Sequence, residues 1–503
     1  MRKNNERLFV GVVCGLFLIK ILGKILHASV RVEWASFLNP ALVADLVSVV
    51  FVYSALLILA CQWSRILAIP TSFIFLIIPF VLYFMLLLNS LYFHIADQTV
   101  LWAALGLFII GAWFWGRGSV AKTSATPGTP KDVWAYLLVM VFVIQGAMLF
   151  LSLNFRVERV PFADEGSFWF IAAREMLAKG FLAAHQGGYP GGGLHPFGVP
   201  FLNALPGLLV NSNSAASLFF MPVYIIVGLT LVLLEFVSAQ RSKWGLVFFL
   251  VAWFAAFNNR SWSGSLFYSM VYGESVCMVL VVSLLSWLML QTRGVIGRSW
   301  LVMAFLLGLL ALTKFPMILL SVGFFIAFLM LGWNGIKGSG KLLLMAAIFT
   351  VPFLVFKLFQ MKYGGVISSV GAMSLERLFL PNMDMLWRVV DNIRVDAGNL
   401  WYYFLVSVGV LCFSPKQWVY AWPIFLWVLF LSFYYAYLYA YGTIGGGDAV
   451  SGLRYFLPAV AGAFFLGAKG VGRLFDAIQR QENRWVRLGL YMVGIGIIVY
   501  KLF

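Results

Sequence analysis

An all-α polytopic membrane protein with about fifteen transmembrane spans is the fold class this sequence predicts, and three observations predict it. Hydrophobic residues fill 62% of 503 positions and charged residues 11%, where soluble domains carry about a quarter charged. The apolar positions fall in continuous runs of about 20 residues, the length that crosses a hydrocarbon core. The runs do not alternate in ten-residue segments, which excludes a transmembrane β-barrel. Mean hydropathy is +0.95.

Taken in order, the expected spans are 8–27, 40–62, 67–92, 98–115 and 133–153, then 215–237, 244–258, 269–291, 299–313, 315–333, 342–360, 399–413, 418–439, 454–469 and 486–502. MRKNNER precedes the first run without a small-residue cleavage site, so that run is expected to stay as a span. The run 199–212 is short and holds Pro200 and Pro206, which reads as a juxtamembrane or re-entrant helix. GRGSVAKTSATPGTPKD is the only Ser/Thr/Pro/Gly-rich linker. It divides an N-terminal four-span module, 1–115, from a larger block, 133–503, with the linker at 116–132.

Lysine and arginine placement orients the spans. With Arg2, Lys3 and Arg7 in the cytoplasm, more than half of the 35 basic residues lie inside, and 154–212 falls outside. The net charge of +17 is spread through loops rather than gathered on one face. That pattern fits orientation and anionic lipid or phosphate partners, and not nucleic acid. Cys14, Cys61, Cys277 and Cys412 sit in apolar runs without metal spacing and read as small buried hydrophobes.

The interval Asn154–Ser212 is the longest polar-containing stretch between spans, and the site candidates begin there. RVPFADEGSFW carries Asp164 and Glu165 before a run in which Phe168, Ile171, Ala172, Glu175 and Met176 give helical amphipathicity. A carboxylate at a membrane surface can act as general base on a hydroxyl, and its neighbour can tune it or share a metal ion. The plainer reading is an acid pair capping an interfacial helix. QGGYPGGGLHPFG follows, with Tyr189 and His195. Without GK[ST] it is no nucleotide P-loop, and it reads either as a loop closing over a substrate or as a solvent loop leading into Pro196.

Further candidates lie far along the chain. Glu274 falls about one turn inside a span, where an acid is a functional hypothesis and Arg260 its nearest expected partner. FLLGLLALTKFPMILL sets Lys314 at the outer tip of a tight hairpin, and SGLRYFLP sets Arg454 and Tyr455 at the outer start of a span. A guanidinium there suits a phosphate, though snorkelling also explains it. Lys20, Lys24 and His27 share one face of the first span and read as interfacial.

The order of these motifs over 133–503 resembles the integral-membrane glycosyltransferases of the GT-C superfamily, nearest the protein-mannosyltransferase and aminoarabinose-transferase-like branch. The resemblance implies a polyprenyl-phosphate sugar donor and inverting transfer, with Asp164 as base and Glu165 beside it. It places the donor phosphate against Arg454, Lys314 and Arg260, and the substrate against Glu274, His195, Tyr189 and Tyr455. Relatives often have Asp where this chain has Glu274. It implies a bacterial inner-membrane protein whose active site faces the periplasm, and leaves room for a divalent cation, Mg or Mn, at Asp164 and Glu165.

Two departures shape the expectation. Four additional spans precede the acidic loop that usually follows the first span, and no soluble outer domain follows the last spans. A lipid-linked or cell-surface glycan acceptor is therefore expected rather than a protein. An O-antigen polymerase or ligase consuming a lipid-diphosphate oligosaccharide is one alternative. A transporter or flippase of a lipid-linked sugar, with Asp45, Glu235 and Glu274 as embedded acids, is another.

Overall fold

Long apolar runs have to satisfy their backbone groups internally, and nearly every described residue here is helical. The computed structural model describes residues 40–67, 69–119, 170–186, 197–210, 221–239, 243–257, 273–291, 300–314, 317–336, 339–363, 383–396, 421–442 and 453–479, with a few positions between 485 and 492. The helices are α1 (Pro40–Leu67), α2 (Thr71–Leu88, extended by a π turn, Asn89–Phe93), α3 (Asp97–Ser119), α4 (Phe170–Lys179), α5 (Phe181–Gln186), α6 (Gly198–Val210) and α7 (Met221–Ala239). They continue with α8 (Lys243–Phe257), α9 (Gly273–Gln291), α10 (Trp300–Leu309, closed by a 3-10 turn, Leu310–Leu312), α11 (Met317–Ile336), α12 (Ser339–Tyr363), α13 (Met383–Asp396), α14 (Ala421–Gly442) and α15 (Leu457–Gln479), the last preceded by a 3-10 turn, Leu453–Phe456.

The runs expected at 40–62, 67–92, 98–115, 215–237, 244–258, 269–291, 299–313, 315–333, 342–360, 418–439 and 454–469 coincide with α1–α3, α7–α12, α14 and α15. Those at 8–27, 133–153, 399–413 and most of 486–502 lie outside the described residues. Among the described residues, four helical stretches are long and apolar enough to cross a membrane: Val47–Leu67, Thr71–Phe93, Asp97–Gly116 and Gly340–Tyr363. Their outward faces carry large apolar side chains, among them Phe51, Ile58, Leu107, Trp113, Trp115, Leu343 and Leu354. In water such belts would be unfavourable at ~25 cal/mol per Å². Facing lipid they are the expected surface, with tryptophans near helix ends.

α2 is the hub. Its side chains from Ser72 to Leu87 are almost all buried, and it packs against α1, α3, α6, α7, α9, α10 and α12. α9 is the second buried column, enclosed by α2, α7, α11, α14 and α15. The division drawn from the linker at 116–132 is therefore not a packing boundary. The apolar stretch 71–88 has no polar stripe, so it needs protein or lipid on every side, and here the C-terminal block supplies the protein. α3 also runs on through Ser119, past the expected start of the linker, and residues 120–132 lie outside the described residues.

Contacts along α2 grade the depth of everything around it. At its first turn, Glu235 of α7 accepts the Ser72 amide hydrogen at 2.8 Å and the Ser72 hydroxyl at 2.6 Å, and the same hydroxyl lies 2.7 Å from Ser283 of α9. At its other end Asn89 brackets Ile95, accepting its N–H and donating to its carbonyl, which sets the turn into α3. Tyr363 and Lys362, closing α12, donate to the Ser90 and Leu91 carbonyls at that same end.

α5 and α6 form a hairpin that dips from the α2–α3 end into the bundle. Asp97, opening α3, accepts the Phe181 amide hydrogen at 2.8 Å and so caps α5. Gly180, with φ of +90°, makes the break between α4 and α5, a backbone conformation that side chains resist. At the far end of α6 the Leu209 carbonyl accepts from Gln98 and Trp102 in the first turns of α3. The start of α6 lies much deeper, where Gly198 packs onto Phe80 and the Leu312 carbonyl. α6 is buried along almost its whole length. α6 covers about 16 Å, at 1.5 Å per residue from Gly198 to Leu209, between the middle of α2 and the first turns of α3.

Candidate functional site

The deep end of this hairpin meets the charged residues. Glu274, in the first turn of α9, and Lys314, just after the 3-10 turn that closes α10, form an ion pair between Nζ and Oε1. Both are withdrawn from solvent, at 2% and 6% exposure. The Tyr455 ring lies 5.0 Å from the same ammonium, close enough for a cation–π contact. A methyl group at Gly273 would meet Lys314 Cδ at 3.0 Å and Val199 Cγ2 at 3.2 Å, a tight approach that ties α6 to the pair.

Local sequence explains why the lysine sits there. LALT winds into a 3-10 turn in which the Thr313 hydroxyl and amide both donate to the Leu310 carbonyl, at 2.7 and 3.2 Å. The Lys314 carbonyl then accepts the Met317 amide hydrogen at 2.9 Å and launches α11. The sequence reading places Lys314 at the outer tip of a hairpin, and the structure corrects this. Lys314 follows Leu312, whose carbonyl meets Gly198 at the height of Phe80, about halfway along α2. The reason is length: α10 has 10 residues and one 3-10 turn, about 20 Å, whereas α12 beside it has 25 residues, about 37 Å.

Between these groups lies a cavity of about 30 Å³, room for a water-sized group, lined by Glu274, Cys277, Lys314, Met317, Ser432 and Tyr455 among others. Two of its walls are helix beginnings: Glu274 lies in the first turn of α9 and Met317 opens α11, while α15 continues from the 3-10 turn Leu453–Phe456. Helix N-termini carry unpaired N–H groups and a partial positive charge. Together with the ammonium they favour the Glu274 carboxylate that is held there.

A second cluster fixes the hairpin. The Tyr83 hydroxyl accepts the Phe197 amide hydrogen at 3.0 Å and lies 3.1 Å from His185 Nε2. His185 Nδ1 is 2.9 Å from the Phe181 carbonyl. The carbonyl can only accept, so Nδ1 carries the proton and Nε2 takes the hydroxyl hydrogen of Tyr83, giving a neutral imidazole by inference from its partners. Phe181, Phe197 and Phe359 enclose the ring. The residue as a whole is half-buried, but with both nitrogens engaged the ring's burial decides, and it pushes the pKa down to about 4. The two flanks of the glycine-rich segment 187–196 thus meet at one tyrosine.

Of the expected site residues, the structure brings together Glu274, Lys314 and Tyr455. Arg454 belongs to the 3-10 turn Leu453–Phe456 beside them, and its side chain is outside the described residues. Asp164, Glu165, Tyr189, His195 and Arg260 are also outside them. Glu274 takes Lys314 as ion-pair partner, where the sequence reading offered Arg260. A lysine between two apolar runs was the available signal, but nothing in the spacing linked it to an acid 40 residues earlier. Tyr83 and Phe197 carried no sequence signal, because aromatic residues crowd every span, and His185 stood out only as one of four histidines, all expected on the outer side. Glu235 is engaged with Ser72, while Asp45 lies in α1 with its side chain outside the described residues.

Among the described residues no three His, Cys, Asp or Glu side chains gather as a metal site, and the pair at Asp164 and Glu165 falls outside that set. No protein-family model, curated protein or solved structure matches this chain, so its site is read from its own chemistry.

Proposed function

We propose that the chain is an integral-membrane glycosyltransferase of GT-C type. It moves a sugar, with inversion, from a polyprenyl-phosphate donor to a hydroxyl of a lipid-linked or cell-surface glycan acceptor. The reading includes about fifteen spans in a bacterial inner membrane, with the active site opening to the periplasm. The observation that carries it is the buried Lys314 ammonium, held by Glu274 and facing Tyr455, on a cavity lined by the first turns of α9 and α11. In this reading the ammonium is the group that meets the donor phosphate, and the water-sized cavity widens around that phosphate when the donor binds.

In this reading Asp164 takes the proton from the acceptor hydroxyl. The acceptor oxygen then bonds to the anomeric carbon as the bond from that carbon to the phosphate oxygen breaks. The phosphate leaves with the electron pair, and its growing charge is stabilised by Lys314, Arg454 and the helix ends. Arg260 stands by the same phosphate, and Glu165, Tyr189, His195 and Tyr455 surround the sugar. Glu274 holds Lys314 in place until the phosphate arrives. A divalent cation, if used, is held by Asp164 and Glu165.

One observation favours a second reading. A buried ion pair next to a short buried helix also suits a transporter or flippase of a lipid-linked sugar, where substrates bind near the midplane at broken helices. Purified protein in vesicles with polyprenyl-phosphate mannose, glucose or arabinose and glycan acceptors separates the two. Release of free polyprenyl phosphate together with acceptor glycosylation is the expected result. Movement of intact donor across the bilayer without any release establishes transport and overturns the enzyme.

A further inference from the structure

We propose that Asn203 reads the sugar of the donor, an inference that rests on the phosphate reading of the neighbouring cavity and extends it to the residue that sets sugar specificity. Asn203 lies in the middle of α6, a helix otherwise apolar apart from its glycines and prolines. Its side chain is 1% exposed, yet neither Oδ1 nor Nδ2 has a hydrogen-bond partner. Buried amides are almost always paired, so an orphaned one in a tightly packed helix calls for a reason. Packing is not the reason, since a leucine of nearly the same size fills such a position without an unmet polar group.

Position supplies a reason. Residues four apart on a helix share one face, so Asn203 stands one turn above Val199. Val199 touches Gly273 together with the side chain of Lys314. The stem of the Lys314 side chain therefore lies about 5.4 Å, one turn, below the level of Asn203. α6 climbs from there toward the α2–α3 end, so a group attached to a phosphate at Lys314 and directed outward passes this side chain. A primary amide offers two donors and an acceptor, which match a pair of neighbouring sugar hydroxyls. In the empty protein the amide is covered, and the donor displaces what covers it. The orphaned amide is then paired only when a hydroxyl-bearing ligand is bound, the arrangement that gives strong selection between a ligand with the hydroxyl and one without it.

The test compares wild type, Asn203→Leu and Lys314→Met in detergent, measuring thermal unfolding and affinity for bare polyprenyl phosphate and for a panel of polyprenyl-phosphate hexoses and pentoses. Wild type is expected to prefer at least one glycosylated lipid over the bare one. Asn203→Leu should unfold at the same or a higher temperature, bind the bare lipid as wild type does, and lose the preference by at least tenfold. An unchanged preference in Asn203→Leu overturns the proposal, and so does a wild type that binds bare and glycosylated lipids equally. A fall in unfolding temperature for Asn203→Leu shows a structural role instead and equally overturns it. Lys314→Met reports on the phosphate site separately: wild-type affinity for the bare lipid in that variant removes the reading of the cavity, not the role of Asn203 alone.

Discussion

Lys314 pairs with Glu274 across 40 positions of sequence, and both charges are enclosed where α9 begins and α10 ends. Two opposite charges withdrawn from water persist only as a pair, because each alone would carry a desolvation penalty of several kcal/mol.

Removing one partner should therefore be worse than removing both. Lys314→Met or Glu274→Leu alone is expected to destabilise the protein by ~3–5 kcal/mol, and the double variant by far less. Thermal unfolding of all four proteins in one detergent measures this. Single variants as stable as the wild type would show that the charges are not bound to each other in the folded protein. The double variant, if folded, should still have lost donor affinity, since the ammonium is gone.

Asp164→Asn tests the base. The amide keeps the size of the side chain and cannot take a proton, so sugar transfer should fall by ~10²–10⁴-fold with unfolding temperature unchanged. Transfer at the wild-type rate would remove Asp164 from the mechanism, and the same assay with a chelator added asks whether a divalent cation takes part.

The approach of α6 to the 3-10 turn depends on Gly198. A methyl group there would stand 2.1 Å from the Leu312 carbonyl oxygen, a backbone atom that cannot rotate away. Gly198→Ala is expected to force the hairpin and Lys314 apart, destabilising by about 1–3 kcal/mol and reducing activity beyond what the stability loss explains. An alanine variant with normal stability and turnover would mean that the two segments do not touch.

The link from Tyr83 to His185 and Phe197 gives a pH dependence with a defined sign. An unfolded histidine takes a proton near pH 6.5, and folded His185 resists until about 4. Between those values the unfolded chain binds more protons, so stability is full above about 6.5 and declines as pH falls toward 4, by at most on the order of 3 kcal/mol. His185→Gln should flatten unfolding temperature over that window, and an unchanged slope would assign the dependence to other groups. Tyr83→Phe removes the acceptor of the Phe197 amide hydrogen and should cost about 1–3 kcal/mol at neutral pH.

Which parts were legible in the sequence follows from the range of the forces involved. Span positions are encoded locally, by the free energy of placing each apolar run in lipid or protein, and every expected run within the described residues appears as a helix. Glu274 was also visible as an acid inside an apolar run, and Lys314 as a base between two of them. Tertiary structure alone decided that α2 is the hub, because burial on all sides and exposure to lipid give the same apolar composition. It also decided that α10 stops halfway, which turned an expected surface lysine into a buried partner for Glu274, and that Tyr83 gathers both flanks of residues 187–196. Pairings of this kind are chosen by packing between distant segments, and a single chain read in order carries no trace of which acid, base or aromatic ring will meet.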